Sequence, residues 1–223
     1  MPIKIDKLIR SRRRSISLEI TREAQLVVRM PRYANVREVK QFILEKRVWI
    51  EKKIKEIAQR ANKNTPKRFI PGEKFYYLGE KYPLKNIKGQ STKLKFNNGF
   101  YLEEGNTPVA KNIFTKWYKR QAKLNISKRV SWYSTLYKLR PNKIKITSAS
   151  GRWGSCTTQG NLNFTWKLIL LPLKILDYVV VHELAHLKQP NHSKIFWVEV
   201  EKMLPDYRER RKWLKKNGEE YTL

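Results

Sequence analysis

Apolar and polar residues alternate over 3–9, 15–20 and 25–30, the period of two that predicts strands with one face buried. TREA sits between the last two runs at hairpin length, so a small antiparallel sheet is expected there. From residue 35 the period lengthens. Val36, Val39, Ile43, Ile50, Ile54 and Ile57 recur at helical spacing, with Val48 or Trp49 filling the gap, Asn35 as N-cap and 62–66 as a stop. One long helix over 35–62 follows. Pro71-Gly72, Gly79-Glu80 and Asn97-Asn98-Gly99 punctuate short apolar runs between 69 and 102, which predicts hairpin strands that extend the first sheet. A second long helix is expected over 108–139, with Ile113, Trp117, Leu124, Val130, Trp132 and Leu136 as core positions and Pro141 as its stop.

Two more strand-like runs, 144–147 and 161–170, flank SASGRWGSCTTQG, whose three glycines mark a loop that turns sharply or approaches something closely. Then comes LPLKILDYVVVHELAHLKQPNHSKIFW. Leu173, Leu176, Val180, Leu184 and Leu187 recur at three- and four-residue steps while Ile175, Val179 and Val181 fill the other faces, so this helix is apolar nearly all round and predicted to be buried. Pro172 suits its first turn, and Pro190 stops it near Lys188. A left-handed Asn191 is expected to reverse the chain there. Two further helical runs, 196–203 and the basic YRERRKWLKKNG, close the chain on either side of Pro205. The pattern as a whole reads as α+β, divided into a β-rich segment with one long helix (1–105) and a second segment (106–223), or one continuous domain.

All three histidines of the chain lie in that apolar stretch. His182 and His186 are one helical turn apart and project from one face, and His192 follows the turn at Pro190, so three imidazoles can converge on one cation. Burying such groups is costly unless something pairs with them, and a divalent cation is such a partner. Glu183, about 100° round the helix from His182, is near enough to serve as a base for water at the metal without being a ligand. Arg152, Tyr178 and Tyr207 are candidate donors to a developing oxyanion or contacts for substrate, Asp177 is a candidate partner for a ligand imidazole, and the strand over 161–166 is a candidate edge for an extended peptide.

Charge changes the picture of partners. The net charge is +30, with excesses of 13, 11 and 6 over residues 1–70, 71–140 and 141–223, so the part carrying the histidines is the least basic. Nucleic acid or another polyanion is a candidate partner by counterion release, and a solvated lysine-rich surface is the plain alternative. The arginine cluster over 10–14 is expected at a turn between strands. A single cysteine, Cys156, excludes an internal disulfide. Neither a secretory signal nor a membrane span is read in the chain, and a cytoplasmic location is expected.

RWGSC, HELAH and NHSKIFW together resemble the YgjP-like metallopeptidase family, related to SprT-like and gluzincin proteases, over most of the chain and most sharply from residue 143. The resemblance implies a zincin-like fold with a mixed or antiparallel sheet packed on the HExxH helix. It further implies zinc held by His182, His186 and His192, Glu183 as catalytic base, and a protein or peptide substrate. Glu199 and Glu201 are fallback ligands, and Gln189 stands where a metzincin has glycine. Two other readings compete with a peptidase: a metal-dependent phosphohydrolase acting on nucleotides, and a nucleic-acid-associated protein with a non-catalytic metal site.

Overall fold

In a computed structural model, which describes residues 3–21, 23–63 and 66–223, the alternating N-terminal runs become β1 (Lys7–Ser11), β2 (Ser17–Ile20) and β3 (Leu26–Pro31). β2 and β3 form the expected antiparallel hairpin, whose Arg22 lies outside the described residues. β1, however, pairs with β3 in parallel, in the order β1-β3-β2. The physical reason is that β3 is the most apolar run: Leu26, Val28 and Met30 are fully buried, so it takes the centre and β1 lies along its other side. In the basic turn, Arg13 donates to the Ser17 hydroxyl at 2.7 Å, and Arg10 donates to the Arg32 carbonyl at 2.6 Å.

The single helix expected over 35–62 is two. α1 (Val36–Glu45), N-capped by Asn35, stops at Lys46 with φ −94° and ψ 8°, and α2 (Arg47–Lys63) follows at once. Residues 64 and 65 of the expected stop lie outside the described residues. Neither proline nor glycine marks the break. Val39, Ile43 and Ile50 face Leu26, Val28 and Met30 to make one small core, while Val48 and Trp49 are exposed. These elements form one compact unit, Met1–Thr65, and the rest of the chain a second, Pro66–Leu223.

The strands after residue 66 do not extend the first sheet. β4 (Lys74–Tyr77), β5 (Glu80–Ile87), β6 (Leu94–Phe96) and β7 (Phe100–Glu103) make their own sheet, ordered β4-β5-β7-β6, with both expected hairpins and a parallel β5–β7 pair. What draws them into the second unit is burial. Phe75, Leu84, Phe100 and Leu102 pack in one core with Phe114 and Tyr118 of α3 (Ala110–Leu136). The β4–β5 turn is also tied to residues just before the histidine helix: Leu78 and Gly79 donate to the carbonyls of Ile169 and Leu170 at 2.8 and 3.0 Å. A Cβ on Gly79 would lie 2.8 Å from Pro172 Cα, and its φ is +94°, so only glycine fits this turn.

α3 buries Ala110, Phe114, Trp117, Tyr118, Ala122, Ile126, Val130 and Tyr133, whereas Leu124, Trp132 and Leu136 of the expected core are exposed. The buried positions advance mainly by four, so the stripe turns about 40° every four residues. It does so because the helix changes partners along its length, from β6 through the turn at 166–170 to the histidine helix and the strand Ile144–Thr147.

β8 (Ile144–Thr147), β9 (Gly154–Cys156) and β10 (Leu162–Thr165) form a mixed sheet of order β8-β10-β9. β9 arises from RWGSC, which the sequence pattern marks as loop, and the strand expected to run to residue 170 stops at Thr165, where a 3-10 turn, Trp166–Leu170, takes over. Three helices complete the α+β architecture: α4 (Leu173–Ala185), α5 (Lys194–Met203) and α6 (Tyr207–Asn217). α4 packs against α3, α5, α6 and β9. Among the described residues no helix is long and apolar enough to cross a membrane.

Candidate metal centre

Ten of the thirteen residues of α4 are buried, as its all-round apolar pattern predicts. Pro172 is the N-cap residue itself, and the helix ends slightly early, at Ala185 with His186 as C-cap. Leu187 donates to the Leu184 carbonyl, and Lys188 and Gln189 both donate to that of Ala185. The chain then reverses without a left-handed Asn191. Instead the Asn191 side-chain oxygen accepts from the Ser193 amide at 3.2 Å, and the Ser193 hydroxyl caps α5 by accepting from the Phe196 amide at 3.4 Å.

This turn brings all three histidines together. One ligand nitrogen from each of His182, His186 and His192 lies within 4.8 Å of the others. Nε2 of His182 and Nε2 of His192 are 3.0 Å apart, close to the roughly 3.3 Å that tetrahedral zinc–nitrogen bonds impose. His186 Nδ1 lies 3.0 Å from the Gln189 carbonyl, which can only accept, so Nδ1 carries the hydrogen and Nε2 keeps its lone pair for a metal. His182 Nδ1 is buried without a hydrogen-bond partner, so the protein alone satisfies this ring poorly. Burial, then the charges of His186, His192 and Arg211, pull His182 down to about 3, so its ring is neutral at ordinary pH, the form that can bind a metal. Burial and the same neighbours His186 and Arg211 also lower His192, whose ring is exposed. The donor set therefore fits a divalent cation. Glu199 and Glu201 do not join it: Glu199 pairs with Lys188 and Lys202 at 2.8 Å each, and Glu201 with Arg208 at 3.4 Å.

Glu183 is buried beside the triad. Burial pushes its carboxyl up to about 8 against the opposing charge of Arg152. The carboxyl is seated on β9: a Cβ on Gly154 would lie 2.5 Å from Glu183 Oε1 and 2.7 Å from Cγ. Gly154 thus makes room for the carboxyl, a close approach of the kind the loop glycines signalled. Phe196, fully buried, walls the triad, with its ring centroid 5.0, 4.5 and 4.8 Å from those of His182, His186 and His192. Phe196 falls within the NHSKIFW motif without a role that the sequence assigns, and Arg211 does not stand out in sequence. Arg211 is one of several basic residues on α6, and only the packing sets its guanidinium 4.4 Å from the Trp197 ring centroid, with Trp197 itself stacked on His192.

The remaining candidates are dispersed around this centre. Tyr178 is buried with its ring centroid 6.0 Å from that of His182, and burial pushes its hydroxyl up to about 12. Tyr207 is buried and stacked on Trp197, and its hydroxyl accepts from Arg208 Nε at 3.2 Å. Arg152 is exposed and lines a cavity of about 150 Å³ with Gly154 and Asn163. Asp177 orients no imidazole: its two oxygens accept from Arg129 Nε and Nη2 of α3 at 2.5 and 2.7 Å. The strand over 161–166 cannot add a peptide either, since β10 is the central strand, and the sheet ends on β8 and β9.

The family model of the YgjP-like metallopeptidase domain matches residues 14–217. No curated protein matches the chain. Among solved structures, the crystal structure of the metallopeptidase zymogen of Pyrococcus abyssi abylysin is similar over 40% of this chain and 93% of that one, at 28% identity and a TM-score of 0.37.

Proposed function

The chain belongs to the YgjP-like metallopeptidase family, and we propose that it is a zinc-dependent peptidase in which His182, His186 and His192 hold the ion and Glu183 is the general base. Convergence of three ligand nitrogens beside one buried carboxyl is the observation that carries this reading. When bound, zinc held by three neutral imidazoles keeps its full charge and supplies Lewis-acid activation of water and of the scissile carbonyl. The Gln189 carbonyl holds His186 in one tautomer. Glu183, seated against Gly154, takes the proton of the attacking water and returns it to the leaving amine. An extended peptide pairing with β9, an edge strand, would lie beside that carboxyl. Arg152, Tyr178 and Tyr207 remain the proposed donors to the developing oxyanion or to substrate. The lone thiol of Cys156 suits a reducing compartment, so the cytoplasm is the proposed place of action.

Elemental analysis of the purified chain, run with a screen of unstructured protein and peptide substrates, tests the reading. About one zinc per chain is expected in the wild type and much less in His192→Ala. Glu183→Gln should keep its zinc while cleavage falls by about a hundredfold or more. A metal-free wild type, or cleavage that survives Glu183→Gln, would refute the assignment. Phosphate release from nucleotides, lost in the same variant, would move it to a phosphohydrolase.

A further inference from the structure

On the second unit, between β6 with the residues leading into it and the N-terminal half of α3, runs a groove of about 1010 Å³. Its walls carry cations on both sides. Lys93 and Lys95 stand on the strand wall, and Lys116 and Arg120, one helical turn apart, on the other. All four are exposed, and among the described residues lining the groove none is acidic. Its floor is aromatic rather than polar: Tyr77 and Phe96, both half-buried, meet edge to face at 4.9 Å and rest on Trp117 at 5.0 and 5.7 Å. Packing explains how these rings are held, but not why an aromatic floor is left open between two rows of unopposed cations.

We infer that this groove is a binding site for single-stranded nucleic acid. Phosphates would be met by Lys93, Lys95, Lys116 and Arg120, and bases would stack on Tyr77 and Phe96, the combination of cationic track and ring platform that binds unpaired strands with little sequence preference. A duplex keeps its base faces stacked on one another, so the floor favours a single strand. An acidic peptide would satisfy the cations yet leave the rings unused. The +30 charge of the whole chain also suits a long polyanion better than a short acidic segment. The inference does not depend on the peptidase reading, since none of these residues belongs to the histidine centre.

Fluorescence anisotropy of a labelled twelve-residue oligothymidylate, titrated with the full chain at several salt concentrations, tests it. Lys116→Glu/Arg120→Glu and Lys93→Glu/Lys95→Glu should each weaken binding by about tenfold or more and flatten the salt dependence, by roughly 0.7 in log–log slope for each phosphate no longer neutralised. The control Lys52→Glu/Lys55→Glu, with the same change in net charge, should shift affinity by about twofold at most. An abasic strand of equal length should bind about tenfold more weakly than oligothymidylate, as loss of stacking requires. Circular dichroism and zinc content serve to confirm folding of each variant. Equal weakening by groove and control pairs would overturn the site, showing diffuse attraction only. Equal affinity for the abasic strand, a duplex or polyglutamate would overturn the assignment to single strands.

Discussion

The two helices α3 and α4 pack against each other, yet they treat polar side chains in opposite ways. α3 is 27 residues long with a buried stripe that winds around it, so its many lysines and arginines reach water at little cost. α4 is half as long and buried on nearly every side, so each polar group on it needs a partner or a use. Asp177 has the Arg129 fork, Glu183 has a seat on Gly154, and His182 and His186 turn toward His192. A cation on α3 is explained by exposure alone unless it lines a groove, as Lys116 and Arg120 do, whereas on α4 His182, Glu183 and His186 are gathered at one centre.

The bridge between the two helices offers the sharpest way to break this contrast. Arg129→Met leaves the Asp177 carboxylate on α4 without its fork. Because Arg129 itself is about 23% exposed, the expected loss is about 2–4 kcal/mol, at the low side of fully buried pairs, readable as a shifted urea midpoint. Next in size is the seat of the carboxyl. Gly154→Ala should displace Glu183 and lower peptide turnover by about tenfold or more while zinc content and melting temperature stay near wild type; undiminished turnover would mean that the close approach has no catalytic consequence. The smallest effect is expected on the outer face of α3. Leu124→Ala, a core position by sequence pattern but 61% exposed, should change unfolding free energy by no more than about 0.5 kcal/mol, and a loss of about 2 kcal/mol or more would show that this face is covered in solution.

The centre was legible in the sequence to an unusual degree because its geometry is local. His182, Glu183 and His186 share one helix, and His192 lies only six residues further on, so periodicity and two prolines carried nearly all of the arrangement. What surrounds it was not legible. Gly154 could be read as a close approach but not as the seat of Glu183, and Asp177 passed for a histidine partner because its true partner, Arg129, is 48 residues away.

Local periodicity, caps and breakers therefore determined by themselves that α4 is buried, that its histidines can meet and that the chain is α+β, since each depends on neighbours within a few residues. Only the tertiary structure decided which long-range surfaces meet: that β4–β7 join the core of α3 rather than the first sheet, that β1 lies parallel to β3, and that Arg211 from α6 arrives over Trp197. Several apolar runs satisfy the same local pattern, and the choice among them is made by which pairings bury the most surface together.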